Sequence, residues 1–394
     1  MSEKYYYWLH NVPGIGRITM QKILEHMTPE ELYRSNLEKT ESFLTKKQRD
    51  AITESKKRWD IRKQWEELEK RKIKVLYLGN RNYPGKLSKI SDPPPILYQK
   101  GKDNIWEKPS VAVIGARACS HYGSLAAKEL GRELANKGIV VVSGMARGID
   151  GICQWAALEQ GGESVGVLGS GVEVCYPTEN RSLYERLQRE GSLLSENPPF
   201  MQPNAGLFPL RNRIISGLAD VVVVVESREK SGTLITVDMA LEQGREVYAV
   251  PGRMTDSVSR GCNNLIKQGA GVILSPREFA EEICPILFQK YQNVGKKEDR
   301  QETWQSREKK HSWKGEQTRD GNFGGKTAVT KEEESILKVL DVSLKNMEEI
   351  YQEVRNKKEG ITLNKVMGIL LELQLKNMVT EENGYYGIKG SFLW

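Results

Sequence analysis

SVAVIGAR (Ser110 to Arg117) and GIVVVSGMARGID (Gly138 to Asp150) are the stretches that decide the fold class of this chain. In each, a run of valine, isoleucine or alanine is followed at once by a turn that contains glycine. Short runs that are apolar on both faces are typical of parallel strands covered by helices on each side. The pattern recurs in ESVGVLGSGVEVCYP (Glu163 to Pro177), LADVVVVVESREKSGTLIT (Leu218 to Thr236) and EVYAVPGR (Glu246 to Arg253).

Helical patterns such as YGSLAAKELGRELANKG separate these strands. Alternating strands and helices predict a doubly wound, mostly parallel α/β sheet. In such sheets ligands bind at the carboxyl ends of the strands, where the glycine-rich turns fall. We therefore expect the functional site to be built from these turns.

Four segments make up the predicted domain organisation. Residues 1–75 are a helical domain of helix-hairpin-helix (SAM-like) type, and residues 76–290 are the Rossmann-like α/β domain. Residues 291–330 are polar, glycine-containing and poor in aliphatic side chains, which predicts a flexible linker. Residues 331–394 show three amphipathic helices and a turn-linked pair of strands, the pattern of a winged helix.

The sequence does not decide the role of either flanking domain. The turn Pro13-Gly14-Ile15-Gly16 either brings backbone N–H groups to a DNA phosphate or joins two packed helices. The third helix of the predicted winged helix carries Asn364, Lys365, Glu372 and Lys376 but no arginine. This set is poorly suited to recognising bases in the major groove, where arginine makes the commonest specific contact. That domain contacts either DNA or protein.

Composition limits the class of protein. The chain has 394 residues, a net charge of +7 and five widely spaced cysteines without a CxxC pair. The charge weakly favours a polyanionic partner, and scattered thiols fit a reducing compartment. The N-terminus is not of signal-peptide type, and no apolar run approaches the ~18 residues of a membrane helix. We expect a cytoplasmic protein without a membrane partner.

The central loops lack the motifs of most enzymes. The turn from Gly115 to Gly123 is not GxGxxG, and no Walker loop, HExxH or His/Asp/Glu cluster occurs. We expect no catalytic residue, no metal and no cofactor.

What the loops offer instead is anion-binding chemistry. Ser143-Gly144-Met145-Ala146-Arg147-Gly148 and Ser231-Gly232-Thr233 each follow a strand and open a helix, so that backbone N–H groups can converge on a phosphate. Alternatively, Ser143 and Ser231 only cap their helices, an effect of about 1 kcal/mol each. Several such turns at one sheet edge favour phosphate binding.

The segment Arg211-Asn212-Arg213 is the most specific indication of a phosphate-binding site in the sequence. Two arginines before a buried strand need partners, and we expect at least one to face phosphate together with Arg117, while the other bridges Glu226 or Asp150. For base stacking, the aromatic residues Tyr176 and Phe208 are either stackers or core residues.

On these residues the chain strongly resembles the DNA-processing protein A family (DprA, also called Smf). The motifs that carry the resemblance occur in order between Tyr83 and Cys284: IGAR, SGMARGID, VGVLGSGVEVCYP, ENPP, FPLRNRIISGL, SGTLIT, AVPGR and GCNNLI. One departure is Ala116, where the family pattern leads us to expect serine or threonine, so the hydroxyl of that turn is missing.

The resemblance implies an extended Rossmann-like fold that binds single-stranded DNA and forms a homodimer through that domain. It implies protection of incoming DNA and loading of a RecA-type recombinase during natural transformation, without catalysis or cofactor. It places Arg117, Ser143, Gly144, Arg211 and Arg213 on phosphates, with Asn212 and Ser216 organising the loop. The full predicted DNA-binding set is Gly115, Arg117, Ser143, Gly144, Ala146, Arg147, Gly148, Gly169, Arg211, Asn212, Arg213, Ser216, Lys230, Ser231, Gly232 and Thr233.

Two other functions remain open at this point. One is a nucleotide-processing enzyme of the lysine-decarboxylase-like Rossmann group. Its PGGxGTxxE loop carries a catalytic glutamate, whereas here Ser231 to Thr236 is followed by Asp238 as the nearest carboxylate. The other is an adaptor whose winged helix recruits a protein partner.

Overall fold

The computed structural model describes residues 2–291 and, towards the C-terminus, residues 333, 336–337, 339–340, 345–357, 362–376, 378–382 and 385–388. Of the predicted linker 291–330, only residue 291 lies among them. The chain divides into two compact units, Met1–Lys310 and His311–Trp394.

A nine-stranded sheet forms the centre of the first unit. Its strands are β1 (Lys74–Tyr77), β2 (Ile96–Gly101), β3 (Ser110–Ile114), β4 (Val140–Ser143), β5 (Ser164–Val167), β6 (Ser192–Ser195), β7 (Val221–Val224), β8 (Glu246–Ala249) and β9 (Gly271–Val272). They lie in the order β1-β2-β6-β5-β4-β3-β7-β8-β9. From β6 to β9 every pairing is parallel, whereas β1–β2 and β2–β6 are antiparallel. The prediction of a mostly parallel sheet is confirmed.

Twelve α-helices lie in the described residues of this unit and pack against the sheet. They are α1 (Glu3–His10), α2 (Arg17–His26), α3 (Pro29–Arg34), α4 (Lys46–Arg58), α5 (Ile61–Lys70), α6 (His121–Asn136), α7 (Ile149–Glu159), α8 (Arg181–Glu190), α9 (Leu207–Leu218), α10 (Gly232–Glu242), α11 (Arg260–Lys267) and α12 (276–291).

Both faces of the parallel strands are covered, because successive side chains of a strand point to opposite faces. Val111 packs in one core with side chains of α6 and α7. Its neighbour Ala112 packs in the other core with side chains of α9 and α10. The all-valine β7 contributes to both cores in the same way. This arrangement confirms the doubly wound α/β class.

The N-terminal helices pack on the antiparallel end of the sheet. Trp8, Met20 and Ile23 share a core with Val75 of β1 and Tyr98 of β2. Helices α1–α5 therefore share a core with the first two strands, and the expected domain boundary at residue 75 stays a prediction. In the predicted hairpin, Gly14 adopts a positive φ of 78°, a conformation that glycine reaches without strain.

The second unit consists, in its described part, of β10 (Lys345–Asn346), α13 (Met347–Lys357), α14 (Leu363–Leu375), β11 (Val379–Glu382) and β12 (Tyr385–Ile388). The three strands form a sheet of order β10-β12-β11. Ile350, Val354, Val366 and Leu373 form its buried core. The winged-helix assignment stays a prediction, and residues 383 and 384, on which the predicted turn between its two strands falls, lie outside the described residues.

Candidate nucleic-acid interface

A cleft of about 800 Å³ opens at the carboxyl ends of the parallel strands. Its walls come from the turn after β3, the turn after β4, the loop between β7 and α10, and the first half of α9. This is the position that the sequence predicts, because loops that follow parallel strands meet at one sheet edge.

More than half of the predicted DNA-binding residues line this cleft. They are Gly115, Arg117, Ala146, Arg211, Asn212, Lys230, Ser231, Gly232 and Thr233. Ser143, Gly144, Arg147, Gly148, Gly169, Arg213 and Ser216 are not among the lining residues.

The cleft carries an excess of positive charge. Four basic residues line it, Arg117, Arg211, Arg228 and Lys230, against a single carboxylate, Asp150. Arg117, Arg228 and Lys230 are exposed. Arg228 was not predicted, although its place in the sequence two residues before Lys230, in the same loop, was a usable signal. A polyanion entering the cleft meets three solvated cations.

An aromatic pair forms part of the same wall. The rings of Tyr176 and Phe208 lie 5.4 Å apart between centroids, and the guanidinium of Arg117 sits 5.5 Å from the Phe208 ring centre. Tyr176 is 43% exposed. Both rings line the cleft, so neither is enclosed in the core, and base stacking by them stays a prediction. A Cβ at the buried Gly169 would come within 2.7 Å of the Phe208 ring, so Gly169 makes room for that ring.

Arg211 reaches the cleft from a buried position. It is 5% exposed, and its Nη1 donates to the carbonyl oxygens of Gly144 (2.8 Å) and Val167. Burial lowers the pKa of Arg211 to about 10, against the opposing charge of Asp150. Gly144 must be glycine for this contact, since a Cβ there would lie 2.5 Å from the Arg211 Nη1.

The Asp150 carboxylate stabilises the turn after β4, next to Arg211. Its Oδ2 accepts from the backbone N–H of Gly144 at 3.1 Å. Burial raises the pKa of Asp150, while the charge of Arg211 acts in the opposite direction. The expected bridge from one arginine to Asp150 or Glu226 is not formed by Arg211, which donates to carbonyl oxygens and affects Asp150 only through its charge.

The position of Arg213 does not fit the predicted contact with a DNA phosphate. Its guanidinium donates to Glu196 at 2.9 and 2.5 Å and to the Asp92 carboxylate at 3.1 Å, and the residue is buried. Arg211 and Arg213 both lie on α9, where two residues of separation correspond to about 200° of rotation. They therefore point to opposite sides of the helix and cannot form one row of phosphate ligands.

The turn after β4 also differs from the expectation. Ser143 is fully buried, and its Oγ donates to the Val113 carbonyl at 2.6 Å rather than to a ligand or to the start of α7. Phosphate contact by the Ser143 hydroxyl is therefore wrong, and so is helix capping. Gly148 has a φ of 72°, and a Cβ there would lie 2.3 Å from the Ala116 carbonyl oxygen. These residues shape the turn.

Two further predicted residues have protein partners. Arg147 is exposed and forms an ion pair with Glu179. Ser216 is buried, and its Oγ donates to backbone carbonyls of α9, including that of Arg213 at 3.3 Å. The Ser216 hydroxyl thus bonds within its own helix, its expected role in organising the loop stays a prediction, and Arg147 is not placed at the cleft.

The loop before α10 keeps its anion-binding geometry. The Ser231 Oγ accepts from the Thr233 N–H at 3.2 Å, so this serine caps the helix as the simpler alternative predicted. Both residues also line the cleft, and Gly232 between them is exposed with open space around its α-carbon. The positive end of the α10 dipole thus faces the cleft.

Comparisons with known proteins show the family to which this chain belongs. The profile of the family described as DNA recombination-mediator protein A matches residues 74–284. The chain belongs to this family. It is 42% identical to the DNA processing protein DprA of Bacillus subtilis over 212 residues, 54% of this chain and 71% of that protein. It is 33% identical to the protein Smf of Synechocystis over 295 residues, 72% of this chain and 74% of that protein.

Two solved structures of family members resemble this one. DNA processing protein A from Streptococcus pneumoniae superimposes with a TM-score of 0.60 at 33% identity, covering 71% of this chain and 97% of the other. The Helicobacter pylori protein superimposes with a TM-score of 0.51 at 30% identity, covering 55% of this chain and 97% of the other. That structure was solved to show its single-stranded DNA binding mode. Family membership gives this chain a role in DNA processing as a recombination mediator.

No described helix combines the length and the apolar character needed to cross a membrane. The described residues also contain no cluster of three or more histidine, cysteine, aspartate or glutamate side chains placed to hold a metal ion.

Proposed function

We propose that this protein binds single-stranded DNA in the cleft at the carboxyl ends of the parallel strands and acts there as a recombination mediator. The observation that carries the proposal is the joint presence of three exposed cations, the α10 N-terminus and an aromatic pair in one cleft. The related Helicobacter pylori protein, which binds single-stranded DNA, supports it.

The chemistry of the cleft suits a single strand better than a duplex. Arg117, Arg228 and Lys230 neutralise phosphates, and N–H groups at the start of α10 donate hydrogen bonds to one further anionic oxygen. Tyr176 and Phe208 offer π-faces to unstacked bases, a contact that every base can make and that a duplex cannot. Binding is therefore independent of sequence.

The proposed role does not require catalysis. Asp150 is the single carboxylate among the residues that line the cleft, and it is buried against Arg211 and the Gly144 amide. A general base must reach the proton that it removes, and this carboxylate is instead engaged with the protein. This argues against the nucleotide-processing alternative, as does the absence of a glutamate between Ser231 and Asp238.

The partners proposed with this function follow from the family. A recombination mediator hands its strand to a recombinase, so we infer loading of a RecA-type protein onto DNA that this chain protects, in the cytoplasm and, in transformable hosts, during natural transformation. We also propose a homodimer through the α/β domain. The β9 end of the sheet and α12 carry the exposed apolar side chains Leu274, Ile286 and Phe288, which supply surface for a second copy.

A binding and turnover experiment tests the proposal. The full chain is titrated into a fluorescent oligo-dT strand and its duplex, alongside Arg117→Ala/Lys230→Ala and a control, Lys47→Ala/Lys57→Ala, which removes two exposed lysines of α4. We expect preference for the single strand, weaker binding by the first variant and no change in the control. The same protein is incubated with nucleotides and single-stranded DNA. Turnover of nucleotides or of DNA would contradict the proposal. So would equal affinity of wild type and Arg117→Ala/Lys230→Ala for the single strand.

A further inference from the structure

A buried carboxylate connects two of the loops that carry the cations of the cleft. Glu226 lies two residues after the end of β7 and is 1% exposed. In the described part of the chain it has no ion-pair partner, and it does not line the cleft. A buried carboxylate is costly unless hydrogen bonds or a cation compensate it. The hydrogen-bond partners of Glu226 therefore indicate what it does.

Both oxygens of the Glu226 carboxylate accept from Ser120. The Ser120 N–H donates to Oε2 at 2.8 Å, and the Ser120 hydroxyl donates to Oε1. Ser120 is also the N-cap of α6, where its Oγ accepts from the Gly123 N–H at 3.1 Å. The helix is thus capped by the serine itself. What Glu226 adds is a link between the loop after β7 and the start of α6.

The turn between β3 and α6 carries Arg117 and is anchored at both ends. In its first half the Ile149 N–H donates to the Ala116 carbonyl at 3.3 Å, and the Thr233 hydroxyl donates to the Gly115 carbonyl at 3.4 Å. Its second half ends at Ser120, where both bonds to Glu226 are shorter than these. The course of the backbone that carries Arg117 therefore depends on the contact between Ser120 and Glu226.

The backbone around Glu226 is itself fixed. On one side, the Val225 N–H donates to the Ile114 carbonyl of β3 at 3.1 Å. On the other side, the Ser227 N–H donates to the Val258 carbonyl at 2.8 Å. The carboxylate is thus a fixed point to which the start of α6 is tied.

The sequence makes room for this carboxylate. A Cβ at Gly123 would lie 2.4 Å from the carboxyl carbon of Glu226. Gly123 stands in the first turn of α6, although glycine weakens a helix relative to alanine. The start of α6 therefore carries a residue that is unfavourable for the helix but lets Glu226 approach it.

We propose that Glu226 is a positioning residue of the DNA-binding cleft. It holds the turn of Arg117 against the loop in which Arg228 follows it by two residues, so that one single strand contacts both arginines. This inference rests on the function proposed above. Glu226 acts through Ser120 and touches no DNA. By its charge alone, a carboxylate close to bound phosphates weakens binding, so the charge of Glu226 and its positioning act in opposite directions on affinity.

Two substitutions separate the reach of Glu226 from its charge. Glu226→Asp keeps the charge but is too short to reach Ser120, whereas Glu226→Gln lacks the charge but can still accept from the Ser120 N–H and donate to its hydroxyl. We expect Glu226→Asp to bind oligo-dT roughly tenfold more weakly than wild type, the factor for one lost hydrogen bond to a charged group. Its slope of log K against log salt should fall by about 0.7. Glu226→Gln should bind at least as tightly as wild type.

The matched control is Glu229, an exposed carboxylate of the same loop. Glu229→Asp should keep the wild-type affinity, because this side chain anchors no turn. All variants are used as the full chain, and urea unfolding establishes that each is folded under the binding conditions. If Glu226→Asp does not fold, Ser120→Ala replaces it with the same expectation, since it removes the hydroxyl bond from the other side.

The same substitution in an Arg117→Ala background distinguishes positioning from a general loss of structure. There Glu226→Asp should cause no further loss of affinity, because the side chain that it misplaces is already absent. An equal loss in both backgrounds, wild-type affinity of Glu226→Asp, or equal weakening by Glu226→Asp and Glu226→Gln would overturn this inference alone. Wild-type affinity of Arg117→Ala itself would overturn the proposed binding site and this inference with it.

Discussion

The substitution Arg213→Ala distinguishes between two roles of this arginine, a structural ion pair and a contact with DNA phosphate. In the folded protein the Arg213 side chain is 7% exposed and pairs with Glu196, itself 15% exposed. Removing the arginine leaves the partly buried Glu196 without its cation, and breaking a pair of this kind costs up to about 3–5 kcal/mol. For a unit of this size that loss corresponds to a Tm lower by roughly 10 °C.

Urea unfolding of the full chain, followed by tryptophan fluorescence, measures the effect. Arg213→Met combined with Glu196→Gln should recover most of the loss, because no unpaired charge then stays buried. Arg277→Ala is the matched control, since it breaks an exposed pair with Glu281 and should change stability by less than about 1 kcal/mol. Below its unfolding temperature, Arg213→Ala should bind single-stranded DNA like wild type. Unchanged stability together with lost DNA affinity would refute the reasoning and return Arg213 to the phosphates.

Three further outcomes follow from the same structure. Phe208→Ala should weaken binding of single-stranded DNA by about 1–3 kcal/mol without changing the salt dependence, and equal affinity would remove the stacking contact. Burial lowers the pKa of His10 from 6.5 to about 4, so the unfolded chain takes up this proton first and stability falls as pH drops from 6.5 towards 4. Because His10 is partly exposed, we expect the free energy of unfolding to fall by roughly 2 kcal/mol over this pH range. His10→Gln should remove this pH dependence, whereas the control His26→Gln, at an exposed site, should keep it. Gly148→Ala should destabilise by more than about 1 kcal/mol in urea unfolding, given its φ of 72° and the crowding by the Ala116 carbonyl.

The sheet and its functional edge were predictable because the local signals agree with one another. Val221 to Val224 and Val140 to Val142 can be buried on both faces only in a covered parallel strand, and each turn that follows is glycine-containing. The cleft followed from this, since the carboxyl ends of parallel strands meet at one edge.

The roles of individual arginines were not predictable in the same way. The resemblance implied that Arg211 and Arg213 both contact phosphates, but on α9 the two side chains point to opposite sides of the helix. The partners of Arg213, Glu196 and Asp92, lie 17 and 121 residues away in the chain, so no local pattern connects them. Ser143 illustrates the same limit, because its carbonyl partner belongs to the neighbouring strand.

The central claim is that phosphates bind in the cleft through its exposed cations. The most direct test is the salt dependence of oligo-dT affinity for wild type, for Arg117→Ala/Arg228→Ala/Lys230→Ala and for Lys47→Ala/Lys57→Ala. Each lost phosphate contact on a single strand should reduce the slope of log K against log salt by about 0.7, so the triple variant should lose about 2. The α4 control should keep the wild-type slope. An unchanged slope in the triple variant would contradict the account and place the strand elsewhere on the protein.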